Sequence, residues 1–357
     1  MALEIILLLL AYIAASVYHY YSKKARQVQE RLFDPYLQLP NVRFNASAVK
    51  KAGEYRVLCL GGSTTNCEEL PVRARYPTVL QAILRERYPS AKIEVLNAGR
   101  PWYTTKHSLI GYTTYYQLWE PDLIVLMHAM NDLYRSFSPP RYAIGGYNIQ
   151  WSHFYGPAIN CARQRPRITL EQKIWKNTRQ AFGKLTGIRY PENTKEKEPP
   201  QEGGDYPLER FVSIKMFEEH LRRIARCVKN DNRDMLLVSQ PSLYKEKMDP
   251  EELEVLFIGR TFCYSLNGAG QKEFPDHGSL LRAMRAFNDV TKRVALSENA
   301  FFADAADRVP KNLRHFINDA HYKEPGAKRL AEEVAKTIIE SDVIGRHLKK
   351  AGKALSG

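Results

Sequence analysis

The chain has 357 residues, 44% of them apolar, and a formal net charge of +14, which suits one large globular domain or two small ones. Its five cysteines, Cys59, Cys67, Cys161, Cys227 and Cys263, lack CxxC spacing, which argues against a zinc site or a dense disulfide framework, and no HExxH cluster offers another metal site. The excess positive charge sits in residues 20–56, 161–200 and 343–357; with the body near neutral, this argues against nucleic acid and fits anionic lipid headgroups or an acidic polymer.

Residues 1–22 carry a single charge, Glu4, and are followed by Lys23, Lys24 and Arg26. The apolar run just reaches the length of a spanning helix, with Tyr18, Tyr20 and Tyr21 as an interfacial belt, so a transmembrane anchor is expected. A cleaved signal peptide competes with this reading, but there is no basic n-region and no clear small-x-small site. A basic neck over 23–54 leads to the body. The positive-inside rule alone would leave the body in the cytoplasm.

From residue 55 onward, strand-like runs at 55–60, 92–96, 122–127, 234–239 and 300–304 alternate with helical patterns at 75–88, 105–118, 213–229, 280–297 and 325–340. In FEEHLRRIARCV, Phe217, Leu221, Ile224 and Val228 recur at helical spacing, so that helix is amphipathic. Such alternation predicts an α/β fold, with a mainly parallel five-stranded sheet covered by helices on both faces. The main domain is read as 55–342. An insertion at 136–210, rich in Pro, Gly, Tyr and Trp, reads as a packed excursion near the site followed by a loop, or as a surface excursion with a small core of its own. A basic tail, 343–357, closes the chain.

In such sheets ligands bind beyond the carboxyl ends of the strands. The run YRVLCLGGSTT puts Ser63 directly after the first strand and after two glycines that permit a sharp turn and a close approach to the backbone. LNAGRPWY places Gly99 after the second strand, and MHAMND places Asn131 after the third, while FINDAHYKEPGAKR sets Asp319 and His321 just before the last helix. A serine hydroxyl attacks only when a base takes its proton; His321 is a candidate base, with Asp319 to orient the imidazole and stabilise its cation. Ser63 N–H, Gly99 N–H and the Asn131 amide are candidate oxyanion donors. Asp132 reads as a structural acid, His128 as a core or pocket-wall residue, and His315 as a bystander.

The ordered set GGST, NAG, ND and D-x-H resembles the SGNH (GDSL-like) hydrolase superfamily over about residues 55–135 and 213–340, and the first block is similar to its membrane-anchored GGST members. The resemblance implies a three-layer α/β/α sandwich of flavodoxin-like type and serine chemistry on ester bonds, without metal or cofactor. It implies Ser63 as nucleophile, Gly99 and Asn131 in the oxyanion hole, and His321 as base. One departure stands out: the usual acid lies three residues before the histidine, where this chain has Asn318, and Asp319 lies only two before. The expectation is that Asp319 serves, as in D-x-H relatives that O-acetylate polysaccharides; the alternative is that Asp319 points away, Asn318 is the neighbour of His321 and the triad reduces to a weaker dyad.

Three functions follow. The first is a membrane-anchored esterase acting on acyl esters of a lipid or glycan through an acyl-Ser63 intermediate. The second is an acyltransferase using the same residues, and the third a catalytically weak scaffold or binding subunit of a membrane complex. The expected partners are the bilayer, the ester substrate and a further membrane protein, with no nucleic acid. Such substrates lie outside the cytoplasm, so the expected location of the catalytic domain is extracytoplasmic, against the charge rule.

Overall fold

The computed structural model describes residues 50–137, 203–257 and 275–354, a two-stranded hairpin (Ser265–Leu266 with Lys272–Glu273), and Tyr12, Ala14, Ala15, Val17, Tyr18 and His19, which are helical. Among the described residues no helix is long and apolar enough to cross a membrane. Most of the expected anchor and neck, and nearly all of the 136–210 insertion, lie outside them.

Five parallel strands form the main sheet: β1 (Glu54–Gly61), β2 (Lys92–Asn97), β3 (Leu123–Met127), β4 (Asp234–Val238) and β5 (Phe301–Ala303). Their order is β2-β1-β3-β4-β5, every neighbouring pair parallel, which is the flavodoxin-like arrangement. All eight residues of β1 are buried, as expected for a central strand covered on both faces. Side chains of the strands alternate between two cores. Leu58, Leu60, Ile124, Leu126 and Leu237 pack with Tyr112, Ile224 and Phe287 on one face. Tyr55, Val57, Cys59, Val125 and Val238 pack with Leu80, Val334 and Ile344 on the other.

The helices in chain order are α1 (Ser63–Asn66), α2 (Tyr76–Arg87), α3 (Thr105–Thr114), α4 (Met130–Tyr134), α5 (Ile214–Asn230), α6 (Pro250–Glu254), α7 (His277–Ser297), α8 (Ala305–Arg308), α9 (Glu324–Glu340) and α10 (Val343–Ala354). On α5 the stripe Phe217, Leu221, Ile224 and Val228 is buried as its spacing predicts. The helix expected over 105–118 is shorter; it ends at Thr114 and a single 3₁₀ turn, Tyr116–Trp119, follows. The expected tail is also revised. Residues 343–354 form α10, and Val343 and Ile344 are buried in the core, so this segment belongs to the domain.

Candidate active site

The strand order reverses direction between β1 and β3, and in open α/β sheets that switch point is where a crevice opens at the carboxyl ends. Ser63 follows β1 and Asn131 follows β3. A cavity of about 180 Å³ lies there, lined among others by Gly62, Ser63, Trp102, Asn131, Gln240 and His321. Ser63 is the first residue of α1 and its N–H has no partner among the described residues, as expected for a helix start. A Cβ on the glycine before it, Gly62, would fall 2.8 Å from Asn131 Nδ2 and 3.3 Å from Tyr103 O, so a side chain there would push the Asn131 amide aside.

His321 comes from the loop before α9. Phe316 and Tyr322 are buried, pair as an antiparallel bridge, and flank a tight turn in which Ile317 N–H donates to the His321 carbonyl at 2.8 Å. This turn delivers the imidazole to Ser63, with Nε2 2.8 Å from Oγ. Two residues 258 positions apart are thereby joined.

The group on the far side of the ring is Asn318. Its Oδ1 accepts the backbone N–H groups of Ala320 (3.0 Å) and His321 (2.8 Å) and lies 3.1 Å from His321 Nδ1. Backbone nitrogens only donate, so the shared atom is the amide oxygen, and Nδ1 must carry the ring proton. Nε2 is then the free acceptor, and Ser63 Oγ–H donates to it. Burial holds the His321 pKa below its ordinary value, while Glu69 and Glu68 oppose that shift, so the base is neutral near pH 7.

The expectation for Asp319 is therefore corrected. Its side chain is buried and its Oδ2 accepts the Tyr244 hydroxyl at 2.7 Å, while its carbonyl accepts Leu243 N–H at 3.0 Å. Asp319 docks the histidine loop onto the segment after β4. The physical reason is the turn: the Asn318 side chain, three residues before His321, folds back onto Nδ1, whereas the Asp319 carboxylate, two before, is taken by the Tyr244 hydroxyl although the residue also lines the cavity.

Gly99 is also corrected. Its N–H donates to Asn97 Oδ1 at 3.0 Å, so it is not aimed at the cavity. Gly99 is needed for proximity instead, since a Cβ there would come within 2.4 Å of Asn66 N. Of the three expected oxyanion donors, two remain: Ser63 N–H and Asn131. One N–H of the Asn131 amide donates to Tyr103 O at 2.9 Å, which leaves the other N–H of the group for a ligand, and the residue lines the cavity.

His128 is buried, lines the cavity, and bonds Ser108 Oγ at 2.7 Å through Nε2; burial pulls its pKa down to about 3. Asp132 is a structural acid: both oxygens take Thr105 N–H (3.2 and 3.1 Å), Oδ1 also accepts its hydroxyl at 2.6 Å, and burial raises its pKa to about 6. His315 turns its Nδ1 to Asn312 Oδ1 at 2.7 Å, outside the cavity.

Gln240, Trp102 and Glu69, all in the cavity lining, escaped the sequence reading. Gln240 stands just past β4, where the rule of inspecting each strand end would have found it. Its Oε1 accepts Met130 N–H at 2.9 Å and its Nε2 donates to Thr64 Oγ1 at 3.1 Å, so one buried amide clamps the neighbours of both Asn131 and Ser63. Trp102 forms a wall with Pro101 and Phe257. Its φ of +64° is costly for a bulky residue and such strain gathers at functional sites. The turn is fixed by Arg100 N–H on Gly61 O (3.1 Å) and Tyr103 N–H on Arg100 O (3.2 Å).

No protein-family model matches the chain, and no curated protein matches its sequence. Solved structures with a similar backbone include the acetylxylan esterase Axe2 from Geobacillus stearothermophilus, 16% identical with a TM-score of 0.45 over 81% of this chain and 96% of the esterase. LAE5, an alpha/beta hydrolase from the metagenome of Lake Arreo, is 12% identical with a TM-score of 0.43 over 79% of this chain and 94% of its own. Likeness this distant decides neither family nor reaction, and both are left to the side chains.

Proposed function

We propose that the protein is a serine ester hydrolase that cleaves acyl esters of a lipid or glycan through an acyl-Ser63 intermediate. The observation that carries this reading is the 2.8 Å contact between Ser63 Oγ and His321 Nε2, two residues that line the cavity. Nε2 takes the Oγ proton as Oγ bonds the acyl carbon, and the carbonyl oxygen becomes an oxyanion facing Ser63 N–H and the Asn131 amide. The imidazolium then gives its proton to the departing alkoxide, leaving acyl-Ser63. Water, deprotonated by the same nitrogen, adds to the acyl carbon, and Ser63 leaves with that proton. Throughout, Asn318 Oδ1 holds Nδ1–H and keeps the ring from turning. In this reading residues 1–22 anchor the domain to a membrane and its substrates lie outside the cytoplasm.

The test is labelling of the full chain by an uncharged fluorophosphonate, followed by hydrolysis of acetyl and longer acyl esters. Labelling at Ser63, with both labelling and turnover lost in Ser63→Ala, is the expected result; the loss in turnover should be about 10⁴-fold or more. Normal turnover in that variant ends the proposal. Partition of the acyl group between water and an added glycan then separates hydrolysis from transfer. Retention of the full chain by carbonate-washed membranes checks the anchor.

A further inference from the structure

The proton shift from Ser63 to His321 creates a cation, and the residue on Nδ1 is a neutral amide. The carboxylate expected there, Asp319, accepts the Tyr244 hydroxyl instead. A different carboxylate approaches the ring from the nucleophile's side: Glu69 Oε1 lies 3.6 Å from His321 Nε2, the same nitrogen that meets Ser63 Oγ. Glu69 belongs to the loop that leaves α1. Cys67 turns that loop in the left-handed region, its Sγ donates to Thr64 O at 3.1 Å, and Leu70 N–H closes the turn on Cys67 O at 3.0 Å. Arg75 Nε then holds Leu70 O at 3.1 Å. The segment bearing Glu69 is thus tied down on both sides, and its side chain, 35% exposed, lines the cavity.

We propose that Glu69 is the counter-charge of His321, stabilising the imidazolium across Nε2 in place of the carboxylate that a serine triad carries on Nδ1. The inference rests on the serine hydrolase reading above. Opposite charge at this distance favours the protonated ring, and it does so most once the oxyanion and cation have formed. The other groups facing the ring are few. Glu68, on the same loop, acts in the same direction; Asn318 is neutral; Asp319 accepts from Tyr244; and His128, also lining the cavity, is neutral near pH 7. The arrangement leaves Nδ1 to fix the tautomer and assigns the charge to the opposite edge of the ring.

The experiment measures the rate of fluorophosphonate labelling at Ser63 against pH, in which Oγ bonds phosphorus, fluoride leaves, and the Oγ proton passes to Nε2. Glu69→Gln should fold as the parent does and label about 10-fold more slowly, with the acid limb of the profile moved down by about 0.5–1 pH unit. Adding Asn318→Asp to Glu69→Gln should restore rate and profile by returning a carboxylate to Nδ1. Glu68→Gln should change either by less than Glu69→Gln. If Glu69→Gln labels at the parent rate with the parent profile, or the added aspartate restores nothing, the counter-charge assignment is wrong. If the parent itself does not label at Ser63, the hydrolase reading fails instead, so the two failures are distinct.

Discussion

The side-chain oxygen of Asn318 lies 3.1 Å from Nδ1 of His321 while also accepting two backbone N–H groups. That shared acceptor fixes the ring's tautomer, which an amide alone would leave open. It makes a clear ordering of variants. Asn318→Ala releases the ring and should lower kcat by about 10²-fold. Asn318→Asp keeps the acceptor and adds charge, so kcat should hold or rise by up to about 10-fold, and the acid limb of the pH profile should move up, because a carboxylate beside Nδ1 favours the imidazolium. Asp319→Asn should leave kcat within about 10-fold but lower Tm, since it weakens a buried bond from Tyr244 worth about 1.5–3 kcal/mol. A large loss of kcat in Asp319→Asn with unchanged stability would restore Asp319 to the triad.

The oxyanion site has its own signature. Asn131→Ala should cut kcat by about 10²–10³-fold with little change in KM, because the amide meets charge that exists only in the transition state. Asn97→Ala should cost far less, although it frees the Gly99 N–H. Steady-state kinetics on one ester decides both. An equal loss for the two variants would show that the Asn97 side chain supports the hole as much as Asn131 does, against the assignment of Asn131 as its side-chain donor.

Much of this was legible in the sequence, and for identifiable reasons. Strand runs such as VLCL and LIVLM are buried on both faces, so their composition marks them unambiguously, and residues at strand ends inherit a place at the switch point. Ser63 and Asn131 were found in that way, and His321 by the D-x-H run just before the last helix. What failed were statements about direction. Whether Asn318 or Asp319 meets the ring depends on which way a tight turn sends successive side chains, and whether Gly99 N–H is free depends on a competing acceptor two residues back. Glu69 was invisible because its loop has no strand or helix period to place it.

Gln240 offers a test of positioning without touching the reacting atoms. Gln240→Leu preserves volume but strands Met130 N–H and the Thr64 hydroxyl in a buried setting, at about 1–3 kcal/mol for each orphaned group. Both α1 and α4 should loosen, so kcat should fall by about 10-fold or more while KM stays near the parent value. Gln240→Glu keeps the acceptor for Met130 N–H and also accepts from the Thr64 hydroxyl, so it should recover part of the loss. If leucine is as active as glutamine, the clamp has no bearing on the site.

The buried histidines give the fold a pH dependence whose sign can be worked out. Burial pulls the pKa of His128 down to about 3 and that of His220 to about 4, whereas Asp132, which takes the Thr105 groups between them, is pushed up to about 6. A histidine whose folded pKa is depressed contributes its full stability above the unfolded value of about 6.5 and loses it as pH falls. Going from pH 7 to pH 5, each of the two should cost about 2 kcal/mol, as the unfolded chain takes up protons the folded one refuses. Asp132 works the other way: its folded form binds a proton below about pH 6 that the unfolded form does not, returning about 1 kcal/mol over the same range. The net expectation is a fall in Tm on acidification well before ordinary carboxylates titrate. His128→Gln retains a partner for Ser108 and removes one of these titrations, while His107, also buried with its pKa lowered, keeps its own, so the variant's Tm should drop less between pH 7 and pH 5 than the parent's. Thermal melts at the two pH values decide it, and an identical acid-induced drop in parent and variant would show that His128 does not resist protonation in the folded state.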